Sequence, residues 1–177
     1  MKLDLFSVPI YIGNIDVDKI KIEHKGFEET WFSKTKSSHN FKNKIEDNSA
    51  SFILNCISKL ISKDINAPHK LEITNIWENH YLENDFQEKH NHSQSHFSFI
   101  IYKKIVDSNT IFYNPSLNII DAYYDFKLLK HLNYFDQTIK PECRSGQIII
   151  FPSFIEHMVV KNNDSITIAG NINITIV

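Results

Sequence analysis

The later part of the sequence consists of short apolar segments, and this restricts the fold more than any other feature. These segments are rich in Ile, Phe and Tyr and are separated by Asn, Pro, Gly and Ser: HFSFIIYKKIV (96–106), NTIFYNP (109–115), GQIIIFPSF (146–154) and SITIAGNINITIV (165–177). Segments of this length and composition are typical of β-strands. Several of them in succession, joined by turns, predict a β-sandwich or barrel.

Residues 70–82 (KLEITNIWENHYL) precede these strands and alternate in character. Because side chains of a strand point to opposite faces in turn, the alternation predicts one shared face for five side chains. They are Leu71, Ile73, Asn75, Trp77 and Asn79.

The first 69 residues have a different pattern. Residues 51–63 carry apolar side chains at helical spacing and predict an amphipathic helix of about three turns. Residues 3–12 predict a short strand, which Pro9 favours at a sheet edge. The polar stretch 38–50 predicts a loop or the start of a helix, and residues 121–140 are ambiguous and allow an excursion between strands.

No internal repeat or Gly/Ser linker divides the chain of 177 residues. The sequence therefore predicts one domain over residues 1–177. In it, residues 1–69 supply a strand and helical support, and residues 70–177 form the β core. The expected fold class is mainly β with N-terminal helices.

Charge and composition exclude several kinds of partner. The net charge is −2, so no basic surface indicates binding to nucleic acid or to an anionic membrane. The apolar runs are far shorter than the ~20 residues that span a bilayer, and the N-terminus lacks the features of a signal peptide. Two cysteines are too few for a disulfide framework, which favours the cytoplasm. Exposed edge strands would permit either a monomer or a homodimer.

Histidines are concentrated in the stretch EKHNHSQSHFSFIIY (88–102). His90 and His92 are two residues apart, so in an extended segment both imidazoles point the same way and could converge on a metal. His157 follows an apolar strand and the turn at Pro152, and it is the best candidate for a remote third ligand. A His-x-His pair alone is weak evidence, because most such pairs are solvated or hydrogen-bonded without a metal. The remaining histidines outside this stretch are predicted to be surface or structural residues: His24, His39, His69, His80 and His131.

Several stretches, in order, resemble one known family. They are LFSVPIY (5–11), IWEN (76–79), HNHSQSHFSFIIY (90–102), FYNP (112–115), PECRSGQIIIFPSFIEH (141–157) and SITIAGN (165–171). Together they are similar to the iron(II)/2-oxoglutarate-dependent oxygenases, in particular a phage and bacterial group related to the prolyl 4-hydroxylase domain. The resemblance covers nearly the whole chain and depends on the order and spacing of the motifs.

The resemblance implies a double-stranded β-helix, also called a jelly roll or cupin-like barrel. It implies Fe(II) held by His90, His92 and His157, with 2-oxoglutarate as cosubstrate and hydroxylation of a small molecule or peptide as the reaction. Most relatives have a carboxylate where His92 stands. Three neutral imidazoles would leave more positive charge on the metal, which should strengthen the binding of an anionic cosubstrate.

The sequence departs from the family at the usual cosubstrate anchor. These enzymes commonly hold the distal carboxylate of 2-oxoglutarate with an Arg on the last core strand, and Ser165 stands at that position. Arg144 is the only arginine, and it precedes a strand whose far end leads to His157. The predicted contacts to the cosubstrate are therefore Tyr102, Ser165, Lys161 and Asn171, with Asn171 facing the barrel interior near the metal.

Two alternatives remain at this stage. His90, His92 and His96 also resemble the metal strand of a cupin, with His157 as fourth ligand and no role for 2-oxoglutarate. The chain could instead be a non-catalytic sheet domain that recognises a peptide or an assembly partner.

Overall fold

The computed structural model describes residues 7–30, 35–65, 67–116, 136–161 and 164–177. These residues form one α-helix, a 3₁₀ turn at Val17–Lys19 and thirteen strands. The elements are β1 (Tyr11–Asn14), β2 (Ile22–Glu23), β3 (Glu28–Glu29), β4 (Lys36–Ser37), β5 (Lys44–Ile45), α1 (Asp47–Ile61), β6 (His69–Tyr81), β7 (Gln87–His90), β8 (Phe97–Lys104), β9 (Thr110–Tyr113), β10 (Thr138–Ile139), β11 (Gln147–Pro152), β12 (His157–Val159) and β13 (Ser165–Ile176).

The strands form two main antiparallel sheets. The larger sheet has seven strands in the order β1-β11-β8-β13-β6-β4-β3, and the smaller one has four in the order β10-β9-β12-β7. A separate pair, β2 and β5, lies outside both sheets. This mainly β architecture is the double-stranded β-helix that the sequence predicts.

Two apolar clusters hold the layers together. In the first, Ile53, Ile57 and Ile61 of α1 pack against the larger sheet. The second cluster joins the other face of that sheet to Phe112 of the smaller sheet. The larger sheet is thus covered on both faces, with the helix on one side and the smaller sheet on the other.

Strand β11 shows why its sequence is a continuous apolar run. Ile148 and Ile150 belong to the helix-side cluster, whereas Ile149 and Phe151 belong to the cluster between the sheets. All four are fully buried. Because both faces of the strand are buried, apolar residues occupy every position, and the sequence does not alternate between apolar and polar residues.

Strand β6 differs from the prediction of one shared face. Its pairing with β13 shifts register where Ile73 faces Ile172 and Asn75 faces Asn171, which leaves Thr74 as an extra residue. Such a bulge reverses which side chains face which side. Leu71 and Ile73 consequently pack with the helix-side cluster, whereas Trp77 packs between the sheets.

The N-terminal region also differs in detail. One α-helix is found among the described residues instead of several, and it begins at Asp47 rather than at residue 51. The predicted strand over 3–12 corresponds to Tyr11–Asn14, and residues 1–6 lie outside the described part. Of the ambiguous stretch 121–140, residues 121–135 lie outside the described part, and the remainder contains β10. No helix among the described residues is long and apolar enough to cross a bilayer.

An ion cluster on the helix side of β6 gives a prediction about acid stability. Glu78 is 7% exposed, and its carboxylate accepts hydrogen bonds from His80 (2.6 Å) and Lys103 (2.9 Å). Burial alone would raise the pKa of Glu78, but these two partners outweigh it, and the pKa lies below its usual value. The ionised form therefore stabilises the fold above the unfolded-state pKa of about 4.3, and this contribution is lost as the pH falls through the folded-state pKa.

We expect the free energy of unfolding of the native protein to fall more steeply between about pH 5 and pH 3 than that of Glu78→Gln. Urea denaturation across this range measures the difference. Parallel pH profiles for the two proteins would contradict the prediction.

Candidate metal centre

The smaller sheet brings His90 and His157 together. His90 is the last residue of β7 and His157 the first of β12, and the two are direct partners in the antiparallel register. His92 lies two residues beyond β7. One ring nitrogen from each of the three histidines lies within 4.8 Å of the others, and the three ring centres are 4.3–5.2 Å apart.

Hydrogen bonds set the same tautomer in all three rings. The Nδ1 atom of His90 lies 2.7 Å from the Glu88 carbonyl, and that of His157 lies 3.1 Å from the Ile155 carbonyl. The Nδ1 atom of His92 lies 2.7 Å from the amide oxygen of Asn171. Because these oxygens can only accept, each neutral ring carries its proton on Nδ1 and keeps an Nε2 lone pair for a metal.

Burial keeps the rings neutral. Burial lowers the pKa of His90, and it lowers the pKa of His157 well below its usual value. The pKa of His92 is lowered to about 4, mainly by burial and further by the neighbouring His90 ring. Metal ligation needs unprotonated imidazoles, so the rings are in the correct form at neutral pH.

The donor set fits a divalent transition metal. Imidazole nitrogen suits Fe, Zn, Cu and Ni, and three ligands on one side leave coordination positions open. The Nε2 atom of His92 is buried and has no partner among the described residues, so a metal would satisfy an otherwise orphaned polar atom. Within the described part, the cluster contains no carboxylate.

Aromatic rings enclose the cluster. Trp77 stacks on His92 with ring centres 5.5 Å apart, and Phe151 and His157 form a T-shaped pair with ring centres 4.8 Å apart. His39 packs edge-on against Trp77 at 4.8 Å. These contacts restrict both water access and ring rotation around the histidines.

A narrow cavity leads from the histidines into the barrel, with about 20 Å³ of free volume. Most of its polar lining consists of hydroxyl and amide groups, and no Lys or Arg is among the described residues that line it. The polar lining residues other than the three histidines and Trp77 are Asn79, Tyr81, Gln87, Tyr102, Asp107, Asn109, Thr110 and Thr167.

Hydrogen bonds join several of these groups in pairs. The Tyr81 hydroxyl donates to Gln87 at 2.9 Å, and the Tyr102 hydroxyl donates to Thr110 at 3.0 Å. Burial raises the pKa of both tyrosines, so each hydroxyl remains a hydrogen-bond donor at neutral pH.

Only some of the predicted cosubstrate contacts line this cavity. Tyr102 lines the cavity, and Asn171 contacts His92. Ser165 is buried but does not line the cavity, whereas Thr167, two residues further along β13, does. Lys161 is exposed and touches Asn109 through its backbone carbonyl.

His96 and Arg144 lie apart from the cluster. The Nδ1 atom of His96 accepts the backbone N–H of Ile174 at 3.0 Å, and His96 is not part of the histidine group. Arg144 precedes β11 at the Gln147 end, whereas the other end of that strand, at Pro152, leads to His157.

A second, open groove shares Trp77 with the lining of the cavity. It has a volume of about 460 Å³, and its walls come from residues 39–45 and 73–77. His39 belongs to this wall, and it is close enough to His90 and His92 to contribute to lowering their pKa. The groove is therefore one aromatic ring away from the candidate metal centre.

A jelly roll that collects three imidazoles at one end has the arrangement of a mononuclear metal enzyme. The family described as "Putative 2OG-Fe(II) oxygenase" matches residues 75–171, which is more than half of the chain and contains all three histidines. The chain belongs to this family of Fe(II)- and 2-oxoglutarate-dependent oxygenases. None of the curated proteins compared with the chain matches it in sequence.

Solved structures with the same fold are distant in sequence. A 2OG-Fe(II) oxygenase family oxidoreductase from Burkholderia pseudomallei is 12% identical, with a TM-score of 0.51 over 93% of this chain and 68% of that one. A prolyl-4-hydroxylase from Pseudomonas putida is 11% identical, with a TM-score of 0.53 over 84% of this chain and 77% of that one.

A third similar structure contains a bound peptide. It is a prolyl hydroxylase from Trichoplax adhaerens in complex with a peptide fragment of the hypoxia inducible factor oxygen degradation domain. It is 9% identical, with a TM-score of 0.50 over 87% of this chain and 83% of that one. At these identities the three structures establish the fold.

Proposed function

We propose that the protein is a hydroxylase that binds Fe(II) through the Nε2 atoms of His90, His92 and His157 and uses 2-oxoglutarate. The observation that carries the proposal is the shared tautomer of the three rings. Each Nδ1 is tied to an oxygen, which leaves Nε2 as the free donor, and one ring nitrogen from each histidine lies within 4.8 Å of the others. When bound, Fe(II) and 2-oxoglutarate activate O2, so that a substrate C–H bond is hydroxylated while the cosubstrate becomes succinate and CO2.

Hydroxyl groups take the place of the usual guanidinium in this proposal. Tyr102 and Thr110 lie inside the barrel, and their paired hydroxyls can turn to donate to a carboxylate. Thr167, rather than Ser165, presents its side chain to the same space. Because the cavity has only about 20 Å³ of free volume, these hydroxyls must separate when a five-carbon dicarboxylate enters.

The groove beside Trp77 is the proposed site of the primary substrate, a small molecule or a peptide. Its volume of about 460 Å³ falls within the range of ligand pockets, roughly 300–1,000 Å³. Both apolar and polar side chains face it, including Phe41, Asn43 and Thr74. A substrate there would lie against the aromatic ring that stacks on His92.

Cosubstrate binding tests the proposal directly. We expect the Mn(II) protein to bind 2-oxoglutarate saturably without O2, and the Fe(II) protein to release succinate when O2 is admitted. Tyr102→Phe should weaken 2-oxoglutarate binding by about 10–100-fold, since a hydrogen bond to a charged group contributes roughly 1.5–3 kcal/mol. Calorimetric titration measures the affinity, and metal affinity should not change.

Tyr113→Phe is the matched control for this test. The Tyr113 hydroxyl contacts the sulfur of Met158, and Tyr113 does not line the cavity. Its removal should leave 2-oxoglutarate affinity unchanged. Equal losses in the two variants would argue against Tyr102 as the anchor.

The described residues that line the cavity include no Lys or Arg, which favours a second candidate, a jelly-roll metalloprotein that uses no 2-oxoglutarate. An anionic cosubstrate normally needs a charged partner in a closed site. A protein that binds Mn(II) stoichiometrically but shows no saturation with 2-oxoglutarate would support this candidate over the hydroxylase.

A further inference from the structure

His92 is held differently from the other two histidines. His90 and His157 are strand residues paired with each other, whereas His92 lies in the turn between β7 and β8. This turn includes Gln94, whose φ of 70° is in the left-handed region. A ligand on a turn is not positioned by a strand ladder, so other contacts have to fix it.

A closed circuit of hydrogen bonds begins and ends at His92. Its ring Nδ1–H donates to the Asn171 side-chain oxygen at 2.7 Å, and Ser98 Oγ donates to the same oxygen at 3.0 Å. The hydroxyls of Ser98 and Ser153 are 2.8 Å apart. The Ser153 carbonyl then accepts the backbone N–H of His92 at 2.9 Å.

Three neighbouring strands of the larger sheet support this circuit. Ser98 on β8 is the direct cross-strand partner of Asn171 on β13 and of Phe151 on β11, two residues before Ser153. Ser98 and Ser153 are fully buried, and Asn171 is 7% exposed. Both the backbone and the ring of His92 are thus tied to buried residues on, or next to, central strands of the larger sheet.

We propose that Asn171 and Ser98 are positioning residues that hold His92 in the tautomer able to bind a metal. Asn171 presents its oxygen to Nδ1, which keeps the proton there and leaves Nε2 free. Ser98 donates to that same oxygen and so holds the amide in this orientation. A flipped amide would present its NH2 group instead, and the ring would then carry its proton on Nε2 and could not act as a ligand.

This inference rests on the proposed metal site, but its first test needs no metal. In the metal-free protein labelled with 15N, we expect the NMR spectrum of the His92 ring to show the Nδ1–H form. Asn171→Leu removes the acceptor at similar volume and should convert His92 to a mixture or to the Nε2–H form. Asn171→Asp keeps an acceptor oxygen and should restore the Nδ1–H form.

Metal affinity provides the second readout. Loss of a group that orients a ligand typically costs 10–100-fold in metal affinity. We expect Co(II) affinity to fall by about this factor in Asn171→Leu, to fall less in Ser98→Ala, and to recover in Asn171→Asp. The absorption spectrum of bound Co(II) follows the titration and reports the ligand geometry.

Ser49→Ala is the matched control for a buried serine. Ser49 lies in the first turn of α1. Its hydroxyl accepts from the N–H of Lys21 and donates to the carbonyl of Lys19, both at 3.0 Å. This variant should lose stability without a change in the His92 tautomer or in Co(II) affinity. If Asn171→Leu does not fold, Ser98→Ala carries the same two readouts.

The outcomes separate the two proposals. A folded Asn171→Leu protein with an unchanged His92 tautomer and unchanged Co(II) affinity would overturn the positioning role. A His92 ring that responds to Asn171 as expected, in a protein that binds neither Co(II) nor Fe(II), would support the positioning role and reject the metal site.

Discussion

The His157→Ala protein is expected to lose measurable binding of Fe(II), Mn(II) and Co(II). His157 supplies one of three ring nitrogens, and the structure offers no carboxylate in the cluster to replace it among the described residues. Metal affinity should fall by more than about 100-fold, since loss of a residue that only orients a ligand already lowers metal affinity by about 10–100-fold. Metal content of the purified protein and a Co(II) titration measure it.

His157 is only 3% exposed, so its removal also leaves a cavity. His157→Gln fills most of that space, and it should show the same loss of metal with less loss of stability. Thermal unfolding of the metal-free proteins separates the two effects.

His96→Ala is the matched control because it removes another histidine of the segment between β7 and β8, whose Nδ1 accepts the Ile174 N–H. It should leave metal affinity unchanged. Equal losses in His96→Ala and His157→Ala would instead indicate the four-ligand site of the cupin-like alternative.

The Gly170→Ala protein is expected to show the largest loss of stability among single-methyl changes. A Cβ atom at Gly170 would lie 2.5 Å from Phe99 Cζ and 2.8 Å from the backbone oxygen of Asn75. Phe99 is 1% exposed and cannot move aside, and Asn75 is held in β6. Overpacking of this kind typically lowers the free energy of unfolding by about 1–3 kcal/mol, and we expect a loss near the upper end of this range.

Urea denaturation measures this loss as a lower midpoint with an unchanged slope. Gly13→Ala is the control, because the atoms closest to its added Cβ are the methyl groups of Leu60, at 2.7 and 2.9 Å. Leu60 is half-buried and can rotate, so the loss should be smaller. A loss in Gly13→Ala as large as in Gly170→Ala would contradict this explanation.

The sequence predicts the fold well because its strands are short, apolar and separated by clear turns. The motif order is also enough to indicate the family, and the match over residues 75–171 confirms it. The N-terminal region is harder, because two-residue strands such as Lys36–Ser37 are too short to show any periodicity. The bulge in β6 is equally hidden, since it depends on pairing with β13 rather than on local sequence.

The three histidines, Tyr102 and Asn171 could be singled out from spacing and family resemblance, but the other polar groups around them could not. Strand β13 is buried along most of its length, so no alternation reveals that Thr167 faces the cavity rather than Ser165. The role of Ser98 depends on cross-strand distances to Asn171 and Ser153, which no linear pattern contains.

The bulge in β6 divides one strand between two tasks. Leu71 and Ile73, before it, help to seat the helix, whereas Trp77, Asn79 and Tyr81, after it, form a wall of the inner chamber. The bulge at Thr74 therefore decides which side chains of this strand face the helix and which face the cavity. Deletion of that one residue would turn one half of the strand to the opposite face, so that either the helix or the cavity would lose its side chains.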